Sequence, residues 1–398
     1  MIPYGRHALD EDDVRAVAEV LRGELLTQGP KAAEFERLVA DYVGARYAVS
    51  VANGTAALHL ACLAAGLGEG DTVVTSANTF LASANCALYV GARPAFSDID
   101  GETLNLDPQV LEDAFRQRTA IKAVIPVHFA GLPCDMPTIR DLAQRHGAIV
   151  IEDACHALGG TYADGSRVGN CRYADMTVFS FHPVKVVAAG EGGLITTNDE
   201  RLYRSLLRLR NHGMTKAEAD FTDRTQAYTA GAVNPWYYEM QALGYNYRMT
   251  DIQCALAISQ FGKLERFLNR RREIANRYDA ELPALPRITL PQRGQRARSG
   301  NHLYVTRIDF ERLGMTRGDV MLSLRARGIG SQVHYIPVPY QPYYRARGLS
   351  DGAWPQTDHY YRQALTIPLY AAMTDDDVSA VIGALGEVLS HERRATRS

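Results

Sequence analysis

The sequence of 398 residues lacks several features that would place a protein at a membrane or outside the cell. It has no run of about 18 apolar residues, which is the length that a membrane-spanning helix needs. Its first residues, Met1-Ile-Pro-Tyr-Gly-Arg6, lack the apolar core of a signal peptide. We therefore expect a cytoplasmic protein that is not associated with a membrane.

Cysteine pairs and excess charge are also missing. No Cys-x-x-Cys pair occurs among the six cysteines, so we expect reduced core thiols and neither a disulfide framework nor a metal site. The formal net charge is −2, which gives no basic surface for a nucleic acid. The arginine-rich stretch 266–277 is interpreted as the solvated face of a helix, and residues 291–300 as a basic exposed loop.

The first half of the chain alternates short β-rich segments with helical ones. Strands are predicted at 47–51, 72–75, 92–96, 120–126, 148–152, 176–180 and 193–197, and helices at 10–22, 31–43, 55–66, 108–117, 135–146 and 199–211. This alternation is typical of an α/β fold with a mostly parallel central sheet and helices on both faces. Ligands of such sheets bind beyond the carboxyl ends of the strands.

The pattern changes after about residue 200. Residues 214–240 form a polar, poorly periodic segment, and loops of that length are usually functional or disordered. One long helix is predicted at about 250–282. Beyond it, strands near 302–309 and 331–334 and helices near 316–327 and 374–390 indicate a smaller α+β domain. We predict a large domain at 1–250, and a bridging helix with a small C-terminal domain at 251–398.

An acid and a lysine follow two neighbouring predicted strands. Asp153 ends the strand at 148–152, and Lys185 comes five residues after Ser180 and before the turn Gly190-Glu-Gly-Gly193. Taken singly, the lysine is explained as a surface charge, the acid as a helix cap and the turn as only a turn. Together they match the needs of pyridoxal 5′-phosphate (PLP), whose aldehyde forms a Schiff base with a lysine and whose pyridine nitrogen is kept protonated by a carboxylate.

Three further segments add to this pattern. Asn53-Gly-Thr55 starts a helix after a strand, where N–H groups bind phosphate, although it is also an ordinary helix start. Phe80 follows the next strand and could stack on the pyridine ring or belong to the core. His156 is placed to contact a ring oxygen of the cofactor, or is a capped or core histidine.

Motifs along nearly the whole chain resemble the sugar aminotransferases of the DegT/StrS family, which belong to the fold type I PLP enzymes. The motifs are Ile2-Pro-Tyr-Gly-Arg6, Leu26-Thr-Gln-Gly-Pro30, Asn53-Gly-Thr-Ala-Ala-Leu58, Glu152-Asp-Ala-Cys-His-Ala-Leu-Gly159, Phe179-Ser-Phe-His-Pro-Val-Lys185, Gly244-Tyr-Asn-Tyr-Arg-Met-Thr-Asp-Ile-Gln253 and Val333-His-Tyr-Ile-Pro-Val338. The Ser-Phe-His-Pro-x-Lys and Gly-Tyr-Asn-Tyr-Arg-Met motifs are highly specific. The chain departs from the family at Val187-Ala-Ala189, where many members have hydroxyl residues.

The resemblance implies a role for each matching residue. Lys185 would be the Schiff-base lysine and Asp153 the partner of the pyridinium nitrogen. The other cofactor contacts would be Thr55, Ala56 and Ser180 on the phosphate, Phe80 stacked on the ring, His156 at the ring, and Asn246 from the partner of a homodimer with shared active sites.

Within the family, the combination of Ile2-Pro-Tyr-Gly5, Leu26–Pro30, Pro235-Trp-Tyr-Tyr-Glu239, Asn301-His-Leu-Tyr-Val305 and Val333–Val338 most resembles the enzymes of the pseudaminic acid pathway. Those transfer an amino group from glutamate to carbon 4 of a UDP-linked 4-keto-6-deoxy-N-acetyl sugar. We expect the nucleotide sugar to contact Tyr4, Arg6, Thr27, Trp236, Arg248, His334 and Tyr335, with an arginine meeting the diphosphate.

Several alternatives stay open at this point. The substrate could be dTDP-linked or carry its keto group at C3, and the chain could be a non-catalytic PLP-binding regulatory paralogue. A sugar 3-dehydratase is disfavoured because the related dehydratases have histidine where this chain has Lys185; an aldolase or a decarboxylase of the same fold is a further alternative. A nicotinamide-dependent oxidoreductase is excluded because no Gly-x-Gly-x-x-Gly opens a helix after the first strand.

Overall fold

A seven-stranded sheet forms the centre of the protein in the computed structural model, which describes residues 1–117 and 120–390. Its strands are β1 (Tyr47–Val51), β2 (Thr72–Ser76), β3 (Arg93–Ser97), β4 (Ile121–Ile125), β5 (Ile149–Asp153), β6 (Met176–Ser180) and β7 (Gly193–Thr197). Their order is β1-β7-β6-β5-β4-β2-β3, in which β7 alone runs antiparallel, to both β1 and β6. The predicted α/β fold with a mostly parallel sheet is confirmed.

The antiparallel direction of β7 determines where the chain between β6 and β7 lies. Residues 181–192 contain no helix, and a parallel neighbour would need a crossover of a dozen residues or more, usually helical. The chain therefore turns back at the carboxyl end of β6. Lys185 lies in this connection and is consequently held at the edge of the sheet where β5 also ends.

Helices cover both faces of the sheet, as predicted. The helices of this part are α1 (Glu11–Arg22), α2 (Pro30–Val43), α3 (Gly54–Ala64), α4 (Ala82–Tyr89), α5 (Pro108–Gln117), α6 (Met136–Arg145) and α7 (Glu200–Leu209). Successive strand residues point to opposite faces, so Val150 belongs to one hydrophobic cluster and Ile151 to the other. The first cluster includes residues of α2 and α6, and the second includes residues of α3 and α7.

Residues 214–240, expected as a loop, contain short paired elements. These are β8 (Met214–Thr215), α8 (Arg224–Ala227), β9 (Tyr228–Thr229), β10 (Ala232–Val233) and β11 (Glu239–Met240), in which β8 pairs with β11 and β9 with β10. The carboxylate of Glu239 accepts hydrogen bonds from the N–H groups of Thr222 and Asp223 and from the hydroxyl of Tyr237. The segment is thus built around one acidic side chain.

The C-terminal part has its own sheet and hydrophobic cluster. It contains α9 (Asp251–Phe261), α10 (Leu264–Glu281), β12 (Ile288–Thr289), β13 (Tyr304–Ile308), α11 (Phe310–Leu313), α12 (Arg317–Ala326), α13 (Pro342–Arg345), α14 (Pro355–Gln363), β14 (Ala364–Ile367) and α15 (Asp375–Ser390). The sheet order is β12-β13-β14, and Ile2 forms a bridge to Ile329 beside it. The domain boundary at residue 250 stays a prediction, and residues 391–398 of the predicted small domain lie outside the described residues.

Two secondary-structure predictions for this part are wrong. The long helix at 250–282 is interrupted at Gly262 and Lys263, because Lys263 leaves helical geometry and its ammonium pairs with Asp10, which caps α1, and with Asp13 in the first turn of α1. The strand at 331–334 is a single bridge between Gln332 and Thr366. It does not extend because residues alternate in an antiparallel ladder and the next two that would pair are engaged elsewhere: the N–H of Gly330 donates to Ile2, and the carbonyl oxygen of His334 accepts from the hydroxyl of Tyr360.

Two arginines expected in solvent are buried. Arg296, in the predicted exposed loop 291–300, is 3% exposed, and its guanidinium binds the carboxylate of Asp279 at 3.0 Å and lies over the ring of Tyr304. Arg271, on the predicted solvated face, is 2% exposed and donates to the carbonyl oxygen of Leu369 at 2.9 Å. Both predictions are wrong because oxygen atoms from other parts of the chain replace water around these two guanidinium groups. No helix of the described residues is long and apolar enough to cross a membrane.

Candidate active site

One cleft of about 720 Å³ opens beyond the carboxyl ends of β5 and β6 and beside the start of α3. Asp153 and Lys185 both line it. So do Thr55, Ala56, Phe80, His156, Ser180, Tyr4, His334 and Tyr335 among the residues expected from the sequence. The position agrees with the general rule that ligands of open α/β sheets bind at this edge.

The carboxylate of Asp153 is held in place at the end of β5. It is 6% exposed, and its Oδ2 accepts a 2.6 Å hydrogen bond from the hydroxyl of Ser83 in α4. Its Oδ1 accepts a bond from the N–H of Cys155 at 3.1 Å. The Ser83 hydroxyl lies 2.9 Å from that of Thr79, which also lines the cleft. Ser83 and Thr79 were not assigned to the site from the sequence.

The amine of Lys185 meets a histidine that sequence reasoning missed. Lys185 Nζ lies 3.4 Å from Nε2 of His302, which comes just before β13. Burial lowers the pKa of Lys185 below its usual range, although the nearby Cys155 and Asp153 act in the opposite direction. The only signal for His302 in the sequence was its motif Asn301-His-Leu-Tyr-Val305, to which no role was attached.

A space for a small anion lies at the start of α3. Asn53 caps this helix, and its Oδ1 accepts from the N–H of Ala56 at 2.8 Å. A Cβ on Gly54 would come within 3.0 Å of the Cβ of Ser180, so only glycine leaves this space open. A helix N-terminus attracts negative charge through its free N–H groups and its dipole. Thr55 and Ser180 line the cleft at the same place.

His156 and Phe80 form part of the cleft wall. His156 Nε2 lies 3.2 Å from the hydroxyl of Tyr335, whereas its Nδ1 is buried without a hydrogen-bond partner among the described residues. Burial, followed by the charge of Lys185, holds the pKa of His156 well below its usual range. Phe80 is 53% exposed and therefore does not belong to the core.

Tyr4, His334 and Tyr335 come together although they are far apart in the sequence. The rings of Tyr4 and His334 lie 5.5 Å apart, and His334 Nδ1 lies 2.9 Å from the hydroxyl of Thr366. Burial, followed by the charge of Lys185, lowers the pKa of His334 to about 3. The N–H of Tyr335 donates to Asn78 Oδ1 at 3.2 Å, which joins the C-terminal part to the chain after β2.

The remaining expected site residues do not line the cleft of their own chain. These are Arg6, Thr27, Trp236, Asn246 and Arg248. The backbone of Asn246 pairs with Asn211, and the guanidinium of Arg248 donates to the Asn211 side chain. By contrast, Cys155 was expected as a core thiol and lines the cleft instead. Val187, Ala188 and Ala189, which replace hydroxyl residues of the family, are buried.

These groups fit PLP. The buried Asp153 can keep a pyridine nitrogen protonated, Lys185 can bind an aldehyde, and the start of α3 can take a phosphate. The orphaned Nδ1 of His156 still needs a partner, and a ring hydroxyl group would supply one. The fold and this site together define a fold type I PLP-dependent enzyme.

The chain belongs to the DegT/DnrJ/EryC1/StrS aminotransferase family, whose sequence profile matches residues 7–386. It is 41% identical over 390 residues to the spore coat polysaccharide biosynthesis protein SpsC of Bacillus subtilis, covering 98% of this chain and 97% of that protein.

Solved structures agree with this membership. Helicobacter pylori PseC, described as an aminotransferase involved in the biosynthesis of pseudoaminic acid, has a TM-score of 0.88 and 27% identity, with 98% of this chain and 99% of that chain covered. The putative sugar aminotransferase Spr1654 of Streptococcus pneumoniae, in its PMP form, has a TM-score of 0.86 and 30% identity, with the same coverage. The protein is thus a PLP-dependent sugar aminotransferase, as the sequence predicted, and the regulatory alternative is set aside.

Proposed function

We propose that the protein transfers an amino group from glutamate to the C4 keto group of a UDP-linked 4-keto-6-deoxy-N-acetyl sugar, in the synthesis of a pseudaminic-acid-type nucleotide sugar. The proposal rests on the positions of three residues. Tyr4, His334 and Tyr335, which come from the motifs that suggested this substrate, line the same cleft as Lys185 and Asp153. The likeness to PseC over nearly the whole chain supports the same substrate class.

In this proposal Lys185, Asp153, His156, Ser180, Thr55, Ala56 and Phe80 hold the cofactor, together with Asn246 of a second subunit. When bound, PLP supplies an electron sink for negative charge on the α-carbon of the amino donor. Asp153 supports this by holding a proton on the pyridine nitrogen. Its two oxygens are each fixed by a hydrogen bond, so the charge stays in one place.

Lys185 acts as the general base and acid. Its Nζ takes a proton from the α-carbon of glutamate in the first half-reaction and delivers a proton to the sugar carbon in the second. Burial lowers the pKa of Lys185, so a larger fraction of the amine is free to accept a proton near neutral pH. Both half-reactions use one site, so we expect ping-pong kinetics.

We assign the nucleotide end of the substrate to the segment 214–240, together with Arg6, Thr27 and Arg248. Tyr237 packs edge-on against Phe221, with ring centroids 4.9 Å apart, and so anchors the segment. Its neighbours Trp236 and Tyr238 are 73% and 53% exposed. Flat exposed rings on an anchored segment provide a stacking surface for a uracil or a sugar, and an arginine meets the diphosphate. Since Trp236 does not line the cleft of its own chain, we infer that this segment serves the partner subunit's site.

The proposal is tested by an assay that identifies the product. Purified protein is incubated with glutamate and a panel of UDP- and dTDP-linked keto sugars, with the keto group at C3 or C4. We expect a 4-amino sugar from the UDP-linked N-acetyl substrate, and no product with Lys185→Ala. Turnover confined to dTDP-linked sugars or to 3-keto sugars would refute the substrate while leaving the class of enzyme unchanged.

A further inference from the structure

Hydrogen bonds of the backbone, and not of the side chain, hold His302 in its place in the fold. Its N–H donates to the carbonyl oxygen of Ala130 at 3.0 Å, and its own carbonyl oxygen accepts from the buried guanidinium of Arg271 at 3.2 Å. The same guanidinium donates to the carbonyl oxygens of Asn301 and Leu369. A substitution at position 302 leaves all of these bonds in place, so the imidazole is free to serve another purpose.

The imidazole is directed into the active-site cleft. Its Nε2 lies 3.4 Å from Lys185 Nζ, and its ring centroid lies 4.5 Å from that of His156. Its Nδ1 is buried without a hydrogen-bond partner among the described residues. In the part of the chain that the structure describes, the only polar contact of this side chain is therefore the one with Lys185.

The charge state of His302 determines which atom donates. Burial, followed by the charge of Lys185, holds the pKa of His302 well below its usual range, so the ring is neutral. A neutral imidazole has one acceptor nitrogen, whereas an ammonium group has only donors. When Lys185 is protonated, the contact is therefore a hydrogen bond from its ammonium group to Nε2 of His302.

We propose that His302 is a positioning residue, which accepts a hydrogen bond from Lys185 whenever that amine is free and so keeps it in the cleft between the two half-reactions. The inference rests on the proposed role of Lys185. A free lysine has four side-chain torsions, and ordering them costs conformational entropy. One acceptor on a backbone that is already fixed limits the conformations that the free amine can explore.

The test follows the apoprotein as it captures PLP. Capture needs the neutral amine of Lys185, so the pH at which its rate is half-maximal reports the pKa of that amine. The other titratable groups around Lys185 are Asp153 at the end of β5, Cys155 just after it, His156 and His334. All of them are unchanged in the variants that are compared.

Two variants of His302 differ mainly in the position of their hydrogen-bond acceptor. The side-chain amide of His302→Gln reaches the position of Nε2, whereas that of His302→Asn reaches only the position of Nδ1. If Nε2 accepts from the ammonium, its loss favours the neutral amine. We expect the half-maximal pH of His302→Asn to fall by about one unit and that of His302→Gln to stay near the wild-type value. His302→Phe, which has no acceptor, should resemble His302→Asn.

Three results would overturn the inference. The first is a pH profile that is the same in His302→Asn and His302→Gln. The second is an upward shift in His302→Asn, since this would make the imidazole a donor. The third is normal capture of PLP by Lys185→Ala. This result would mean that Lys185 is not the residue that binds the cofactor, and the proposed function would fail with it. The first two results contradict only the role of His302. Melting temperatures of the variants show which of them are folded and therefore valid for the comparison.

Discussion

The hydroxyl of Ser83 donates a 2.6 Å hydrogen bond to Oδ2 of Asp153, and both residues are buried. A hydrogen bond to a charged acceptor is worth more than a neutral one, about 1.5–3 kcal/mol. Because α4 supplies this donor and the N–H of Cys155 supplies another, the carboxylate has little freedom to rotate. The site thus keeps a fixed negative charge at the end of β5.

We predict that Asp153→Asn lowers the rate of the glutamate half-reaction by several orders of magnitude while PLP still binds. An asparagine has nearly the same shape: its amide oxygen can still accept from the N–H of Cys155, while its NH2 group can donate to the hydroxyl of Ser83. The main property lost is then the charge that holds a proton on the pyridine nitrogen. Stopped-flow absorbance with glutamate measures the rate. Ser83→Ala, which keeps the charge, serves as the control and should lose far less. Near-normal turnover of Asp153→Asn would make Asp153 a structural cap.

Lys185→Ala should lose both covalently bound PLP and transamination. The structure brings no other lysine to the lining of the described cleft, so no second amine can replace it. After dialysis, the variant should lack the absorbance of the protein-bound cofactor that the wild type retains. Borohydride reduction followed by peptide mapping identifies the modified residue. Labelling of a different lysine would reject this assignment.

The active sites should be shared between two subunits. Asn246 is exposed and does not line the cleft of its own chain, so its proposed phosphate contact requires a partner. We expect a homodimer in mass-calibrated light scattering. Lys185→Ala and Asn246→Asp should each be inactive, but their mixture should regain part of the activity, since one site of each hybrid dimer carries both native residues. A fully active monomer would contradict this prediction.

Trp236→Ala and His334→Ala should raise the KM for the sugar or lower its kcat/KM, with little change in the glutamate half-reaction. Each variant removes a ring that we assign to the nucleotide sugar and leaves the proposed cofactor contacts intact. Tyr343→Ala is the control, because it removes an exposed aromatic ring in α13 that does not line the cleft. Equal losses in both half-reactions would place the two residues at the cofactor or in the fold.

Arg296→Met should destabilise the protein by about 3 kcal/mol in urea unfolding at neutral pH. The variant removes the guanidinium that lies 3.0 Å from the Asp279 carboxylate and so leaves a largely buried charge without its cation. Arg293→Met in the same loop removes an exposed arginine and should change the stability by no more than about 0.5 kcal/mol. Equal stabilities for the two variants would mean that the ion pair adds nothing to the fold.

The sequence by itself determined the class of fold and the two central residues of the candidate site. Strands and helices of the sheet follow local periodicity, and each strand ends where its pattern ends. Asp153 and Lys185 could therefore be placed at neighbouring strand ends before any contact was known. The parallel direction of most strands follows from their alternation with helices, since parallel neighbours need such crossovers. The order of the strands in the sheet does not follow from that alternation.

Only the tertiary structure decided which distant groups complete that site and where charges are buried. Ser83, His302 and Arg271 have no local pattern that marks them, because each has a partner that lies 70 or more residues away in the chain. The same reason explains Arg296, which looks like a surface charge until Asp279 is brought against it. A polar side chain can be buried when groups from elsewhere in the chain form hydrogen bonds with it. A short stretch of neighbouring residues does not show which groups these are.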